Sequence, residues 1–131
     1  MALFGFRTRN PERDAETDRT RFQNIRRAIR AVVSEIEQEH SGFSRRYDQA
    51  AIDAAFSFEN MENEGETDEA SAHVDEVTQA LKRFSQRIKF LEKQIAFVQE
   101  MDETLTKFEN ANGMGQTQSG REISTPRQGR P

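Results

Sequence analysis

Hydrophobic residues in the second half of the chain recur at alternating steps of three and four. The repeating positions are Val74, Val77, Leu81, Phe84, Ile88, Leu91, Ile95 and Val98. This is the a/d spacing of a heptad, which places one apolar stripe along a helix. The stripe ends before Asn112 and Gly113, residue types that are typical of a helix end. The pattern predicts a helix over about 67–110.

The first half of the chain carries a second apolar stripe with one irregular step. Its members are Phe22, Ile25, Ile29, Val32, Ile36, Phe43, Tyr47, Ala51, Ala54 and Phe58. The irregular step passes through His40 and lies beside Gly42, and a helix-interior glycine costs up to about 1 kcal/mol. This leaves a kink or a short break open at that point. Asn10-Pro11 is a typical helix start, so we predict a helix over about 11–58.

An acidic stretch at 59–66 separates the two stripes and contains two Asn and one Gly, so we predict a turn there. Residues 111–131 are mostly Gly, Gln, Ser, Thr and Arg and have almost nothing to bury, which predicts a disordered tail. We expect residues 1–10 to form a flexible apolar and basic segment. The predicted fold class is all-α, a long antiparallel helical hairpin that resembles a coiled coil.

Charge supports the antiparallel arrangement. Residues 1–30 hold eight Arg and four acids, whereas residues 31–79 hold thirteen acids and two Arg. Folding the chain about the turn places Arg26 and its basic neighbours near Asp102 and Glu109, and it places the acids of 35–39 near Lys89 and Lys93. Each exposed pair contributes only about 0–1 kcal/mol. The charges therefore select register more than they stabilise.

The C-terminal half of helix 2 is apolar over a wider arc than one partner helix covers, because Phe90, Phe97 and Met101 lie beside the a/d row. A second copy would cover this arc in a homodimeric four-helix bundle, and a different protein is the competing occupant. The predicted partner or oligomer face comprises Phe84, Phe90, Phe97, Met101 and Phe108.

Composition limits the classes of function. Leu, Ile, Val and Phe total 26 of 131 residues, which is little for a thick enzyme core. The chain has no Cys, no Gly-rich phosphate loop and no run of 18 apolar residues. No Ser-His-Asp set is spaced to share a pocket. We therefore expect a protein that is not an enzyme, has no cofactor and is located in the cytoplasm.

The N-terminal segment offers a docking motif of three bulky apolar residues and two arginines. These residues are Leu3, Phe4, Phe6, Arg7 and Arg9. They are suited to a groove on a partner protein, to the open end of the bundle, or to an anionic membrane surface. Peripheral membrane attachment through residues 1–13 therefore remains an alternative function.

The two histidines are candidate metal ligands. Glu37 and His40 form a Glu-x-x-His step, and the hairpin brings Glu92 to the same level, as in ferritin-like bundles. Lysines flank Glu92 in sequence, so we predict no metal site and place His40 in the helix interface; a ferritin-like bundle remains a second alternative. The sequence pI of about 5.3 argues against nucleic acid as a partner.

Together these patterns predict a non-enzymatic helical interaction or assembly protein, an adaptor, chaperone or scaffold. It would act through the apolar face of helix 2 and through its flexible ends. The expected partner is a second copy in a homo-oligomer or another protein.

Overall fold

The computed structural model describes residues 10–114, which form two α-helices in contact with each other. Helix α1 spans Pro11–Glu64 and helix α2 spans Asp68–Ala111. No strand occurs between residues 10 and 114, so the all-α prediction is confirmed for this part of the chain. The predicted N-terminal docking residues and the predicted tail beyond residue 114 lie outside the described residues.

Both helices begin at a side-chain cap, and the cap of α1 lies at the Asn10-Pro11 start that the sequence predicts. The Asn10 Oδ1 atom accepts a hydrogen bond from the Glu12 amide at 3.0 Å, and Pro11 fills the first helical position. The Thr67 Oγ1 atom accepts a hydrogen bond from the Ala70 amide at 3.1 Å. Each cap satisfies one of the amides that a helix start leaves without an intrahelical acceptor.

Both helices end at a glycine with a positive φ, 90° at Gly65 and 70° at Gly113. The Gly65 amide donates to the Met61 carbonyl at 3.1 Å, and the Met114 amide donates to the Glu109 carbonyl at 2.8 Å. Helix α1 thus extends to 64 instead of 58, and the turn is 65–67 instead of 59–66. Residues 59–64 contain neither Pro nor Gly, so nothing ends the helix before Gly65.

The face of α1 that packs on α2 differs from the predicted stripe. Its buried and half-buried members are Phe22, Arg26, Ile29, Val33, Ile36, His40, Phe43, Ala50, Ala54, Ser57 and Met61. The predicted stripe is wrong at four positions, because these residues are exposed: Ile25, Val32, Tyr47 and Phe58. Its members follow one another at steps of three and four except between Phe43 and Ala50, where the intervening Tyr47 is exposed. Helix α1 continues through Gly42 without a break. An apolar heptad pattern does not reveal this packing face, because Arg26 and His40 occupy two of the positions that contact α2.

The described residues divide into two compact units. The described part of the first unit comprises residues 10–28 and 101–114. In it, the rings of Phe22 and Phe108 stack with centroids 5.3 Å apart and an interplanar angle of 2°. Arg26 forms ion pairs with Asp102 and Glu109, as the charge pattern predicts.

The second unit comprises residues 29–100 and is an antiparallel helical hairpin closed by the turn 65–67. Its core contains Ile36, Ala54, Val74, Val77 and the fully buried Leu91. Cross-helix pairs join Glu39 to Arg87 and Asp53 to His73, and this order establishes the antiparallel direction. Among the 35–39 acids, Glu39 therefore pairs with Arg87, whereas the sequence pattern predicts Lys89 and Lys93 as the facing bases.

Candidate interaction surface

The second unit exposes two phenylalanines on α2, Phe90 at 54% and Phe97 at 62% of their full accessible area. They are seven residues apart, so they share one face of the helix. Phe90 precedes Leu91 and Phe97 precedes Val98, and Leu91 and Val98 face α1 in the interhelical core. The two phenylalanines therefore flank the core but are not part of it. The prediction that helix 2 is apolar beyond its seam agrees with this exposure.

The exposed Val32 of α1 lies on the same side of the hairpin as these two rings. Val32 and Glu39 are seven residues apart on α1, and Glu39 pairs with Arg87 of α2 across the helix interface. Phe90 follows Arg87 by three residues, so Val32, Phe90 and Phe97 lie on the side of the hairpin that carries this ion pair. We call the surface formed by Val32, Phe90 and Phe97 the Phe90 face.

On α2, the opposite side of the hairpin is polar. The seven-residue spacing places Ser85, Glu92 and Gln99 on that side of α2, whereas on α1 the same spacing leads from Glu37 and Ser44 to the exposed Phe58. The exposed rings of α2 in the second unit therefore lie on one side of that helix. A concentrated apolar patch is the feature that distinguishes an interaction surface from scattered exposed residues.

The structure distributes the other predicted face residues differently. Phe84 packs against Phe43 inside the hairpin, with ring centroids 5.8 Å apart, and only part of it reaches the surface. Met101 and Phe108 belong to the first unit, where both are exposed and Phe108 stacks on Phe22. Their role in binding remains a prediction.

An open pocket of about 420 Å³ lies on the second unit, lined by Gly42, Arg45, Arg46, Gln49 and Phe84. The Arg46 guanidinium lies 5.1 Å from the centroid of the Phe43 ring. The sequence analysis did not identify this site. One available signal was that Arg45 and Arg46 are the only basic residues between 31 and 79.

Each histidine is paired with one carboxylate of the other helix. The His40 Nε2 atom lies 3.0 Å from the Glu92 Oε1 atom, and the His73 Nε2 atom lies 3.3 Å from Asp53. The predicted position of His40 in the helix interface is confirmed by its half-buried side chain. Glu37 does not complete a set of ligands: between residues 10 and 114, no three His, Asp or Glu side chains could together hold a metal ion.

Comparisons with protein family models, with curated proteins and with solved structures find no match to this chain. Within the part of the chain that the structure describes, neither helix is long and apolar enough to cross a membrane. The surface of the molecule is thus the basis for any inference about function.

Proposed function

We propose that this chain is a non-enzymatic helical interaction or assembly protein that binds an apolar helix through the Phe90 face. The observation that carries the proposal is the exposure of Phe90 and Phe97 on one side of α2. Full burial of a phenylalanine side chain contributes about 1.5–3 kcal/mol. Two such rings are enough to dominate a small interface.

The spacing of the rings indicates the shape of the occupant. Phe90 and Phe97 are separated by two helical turns, so a helix lying along α2 would contact both. A helix in a groove is recognised through apolar residues at positions i, i+3 or i+4, and i+7. The partner should therefore present an apolar helix face of that spacing.

Two occupants have this property. A second copy of the hairpin would cover the Phe90 face in a homodimeric four-helix bundle, the arrangement of an oligomeric scaffold. A different helical protein would make this chain an adaptor or a chaperone. In either case we propose a cytoplasmic location for the protein. A chain without cysteine forms no disulfide, so it does not need an oxidising compartment to fold.

The test substitutes both rings, Phe90→Ser with Phe97→Ser, in the full chain. The helices should remain formed by circular dichroism, because both rings lie outside the seam. The solution mass by light scattering and the proteins captured from the native cell are compared between wild type and variant. Loss of an oligomer or of a captured partner supports the proposal.

Phe58→Ser is the matched control, because Phe58 is 52% exposed and lies on the other helix. It should leave the mass and the captured proteins unchanged. If the double variant has the same mass and captures the same proteins as wild type, the Phe90 face has no binding role.

A further inference from the structure

A second unpartnered surface lies on the outer side of α1 in the second unit. Arg45, Gln49, Ile52, Phe56 and Glu59 are all exposed and follow one another at steps of four, three, four and three. Side chains at this spacing form one stripe along a helix. Ile52 and Phe56 each lie two residues from the buried Ala54, so they point away from α2. We call these five residues the outer stripe.

The outer stripe carries opposite charges at its two ends, Arg45 at one and Glu59 at the other. Arg45 and Arg46 stand alone as bases among thirteen acids between residues 31 and 79. Arg87 forms an ion pair across the hairpin, but neither Arg45 nor Arg46 forms one with any residue between 10 and 114. Their guanidinium groups are thus available to a carboxylate of another chain.

We propose that α1 of a second copy docks antiparallel on the outer stripe, with a two-fold axis at Ile52. Arg45 and Glu59 are each seven residues from Ile52, so this axis pairs Arg45 of each copy with Glu59 of the other. The two Ile52 side chains meet at the axis. The interface is isologous, and its two ion pairs are equivalent by symmetry.

The same axis brings an exposed aromatic ring to one edge of the open pocket. Phe56 is 61% exposed and lies four residues after Ile52, so the Phe56 of the second copy faces the space between Arg45 and Gln49. These two residues line the pocket together with Gly42 and Phe84. A Phe56 ring that stacks on no other ring between residues 10 and 114 would thus lie beside Arg45 and Gln49 at the edge of the pocket.

A second copy fits the outer stripe better than an unrelated helix because the stripe contains both halves of its own complement. Each copy offers an arginine, a pocket, an aromatic ring and an acid in an order that matches itself when reversed. The Phe90 face plays no part in this contact, since it is formed mainly by α2. The inference is therefore independent of the proposed function, and substitutions at the two surfaces separate them.

A charge exchange in the full chain tests the pairing. Arg45→Glu and Glu59→Arg should each raise the dimer dissociation constant about tenfold or more, because each places two pairs of like charges at the interface. The double variant should restore the wild-type mass measured by light scattering over a wide range of concentration. Circular dichroism checks that the helices remain, as both side chains are exposed.

Three results would overturn the inference. They are a wild-type chain that stays monomeric, single variants that associate as wild type does, and a double variant that fails to recover. Phe56→Ser should weaken association by a similar factor, with Phe58→Ser, of comparable exposure, as the control that leaves it unchanged.

A cross-linking experiment tests the position of the axis directly. The chain has no cysteine, so Ile52→Cys introduces a single thiol. A residue at a two-fold axis approaches its own copy, and a disulfide forms when the Cα atoms are about 4.4–6.8 Å apart. Oxidation should link Ile52→Cys into a covalent dimer but leave Phe58→Cys monomeric. Equal linking of the two variants, or no linking of Ile52→Cys, would contradict the proposed axis.

Discussion

Substitution of Arg26 by Met should lower the stability of the protein, although Arg26 belongs to a residue type that is usually at the surface. The Arg26 side chain is 25% exposed and that of Glu109 is 17% exposed. The Arg26 Nη2 atom donates to the Glu109 carboxylate and, at 3.2 Å, to the Thr106 Oγ1 atom. Its buried Nε atom lies 3.6 Å from the buried Oδ1 atom of Asp102, and neither has another partner.

These contacts set the expected magnitude. Removing one member of a fully buried ion pair costs about 3–5 kcal/mol, because the other charge stays buried without a partner. Here Glu109 and Asp102 keep some exposure, and Asp102 is 44% exposed, so water relieves part of that cost. We expect about 2 kcal/mol, close to the value of a hydrogen bond to a charged group. The melting temperature should then fall by roughly 10 °C, at about 4–8 °C per kcal/mol.

The assay is thermal and urea unfolding followed by circular dichroism, with two controls. Arg21→Met should change stability by less than about 0.5 kcal/mol, because Arg21 pairs with Asp18 at 3.8 Å and both side chains are exposed. Replacing Arg26, Asp102 and Glu109 together by apolar residues should recover wild-type stability or exceed it. A melting temperature unaffected by Arg26→Met, or a triple variant as unstable as the single one, would refute this reasoning.

Two further substitutions probe the second unit by the same unfolding assay. Gly42→Ala should raise the free energy of unfolding by about 1 kcal/mol, because an added Cβ atom has room and alanine favours the helix. A decrease would contradict the open space around Gly42. Leu91→Ala should lower it by about 3 kcal/mol, because Leu91 has no exposed surface and its loss leaves a cavity. A change smaller than about 1 kcal/mol would mean that the hairpin collapses to fill that cavity.

The parts of the fold that depend on neighbouring residues could be predicted from the sequence. The caps at Asn10 and Thr67 and the glycine ends at Gly65 and Gly113 involve hydrogen bonds over six residues or fewer. The seam of α2 was predicted because almost every member is apolar, so the period is visible without knowledge of α1. The end of α1 was misplaced, because acidic residues suggested a turn where nothing interrupts the helix.

The seam of α1 could not be read from α1 alone. Two apolar sets compete along it, one through Ile29 and Ile36 and one that also includes Ile25 and Val32. The packing with α2 favours the first set, because acids on α2 pair with the seam residue Arg26. A polar residue in a seam becomes recognisable only when its partner on the other helix is known.

One of the two candidate surfaces could be predicted from the sequence and the other could not. The sequence predicted that Phe90 and Phe97 lie beside the α2 seam, since that seam was assigned correctly. The outer stripe was missed because Ile52 and Phe56 lie between members of the predicted α1 stripe. Their exposure becomes evident once Ala54 is known to be buried.

The two proposed surfaces have different consequences for assembly, which the solution mass distinguishes. The outer stripe belongs to α1, and its two-fold contact closes on itself, so alone it produces a dimer and nothing larger. The Phe90 face of each copy would remain open in that dimer. If that face also binds copies of this chain, the mass should continue to rise with concentration, because every added dimer presents another open face. If it binds a different protein, the mass should stop at the dimer, and each dimer should bind two partner molecules.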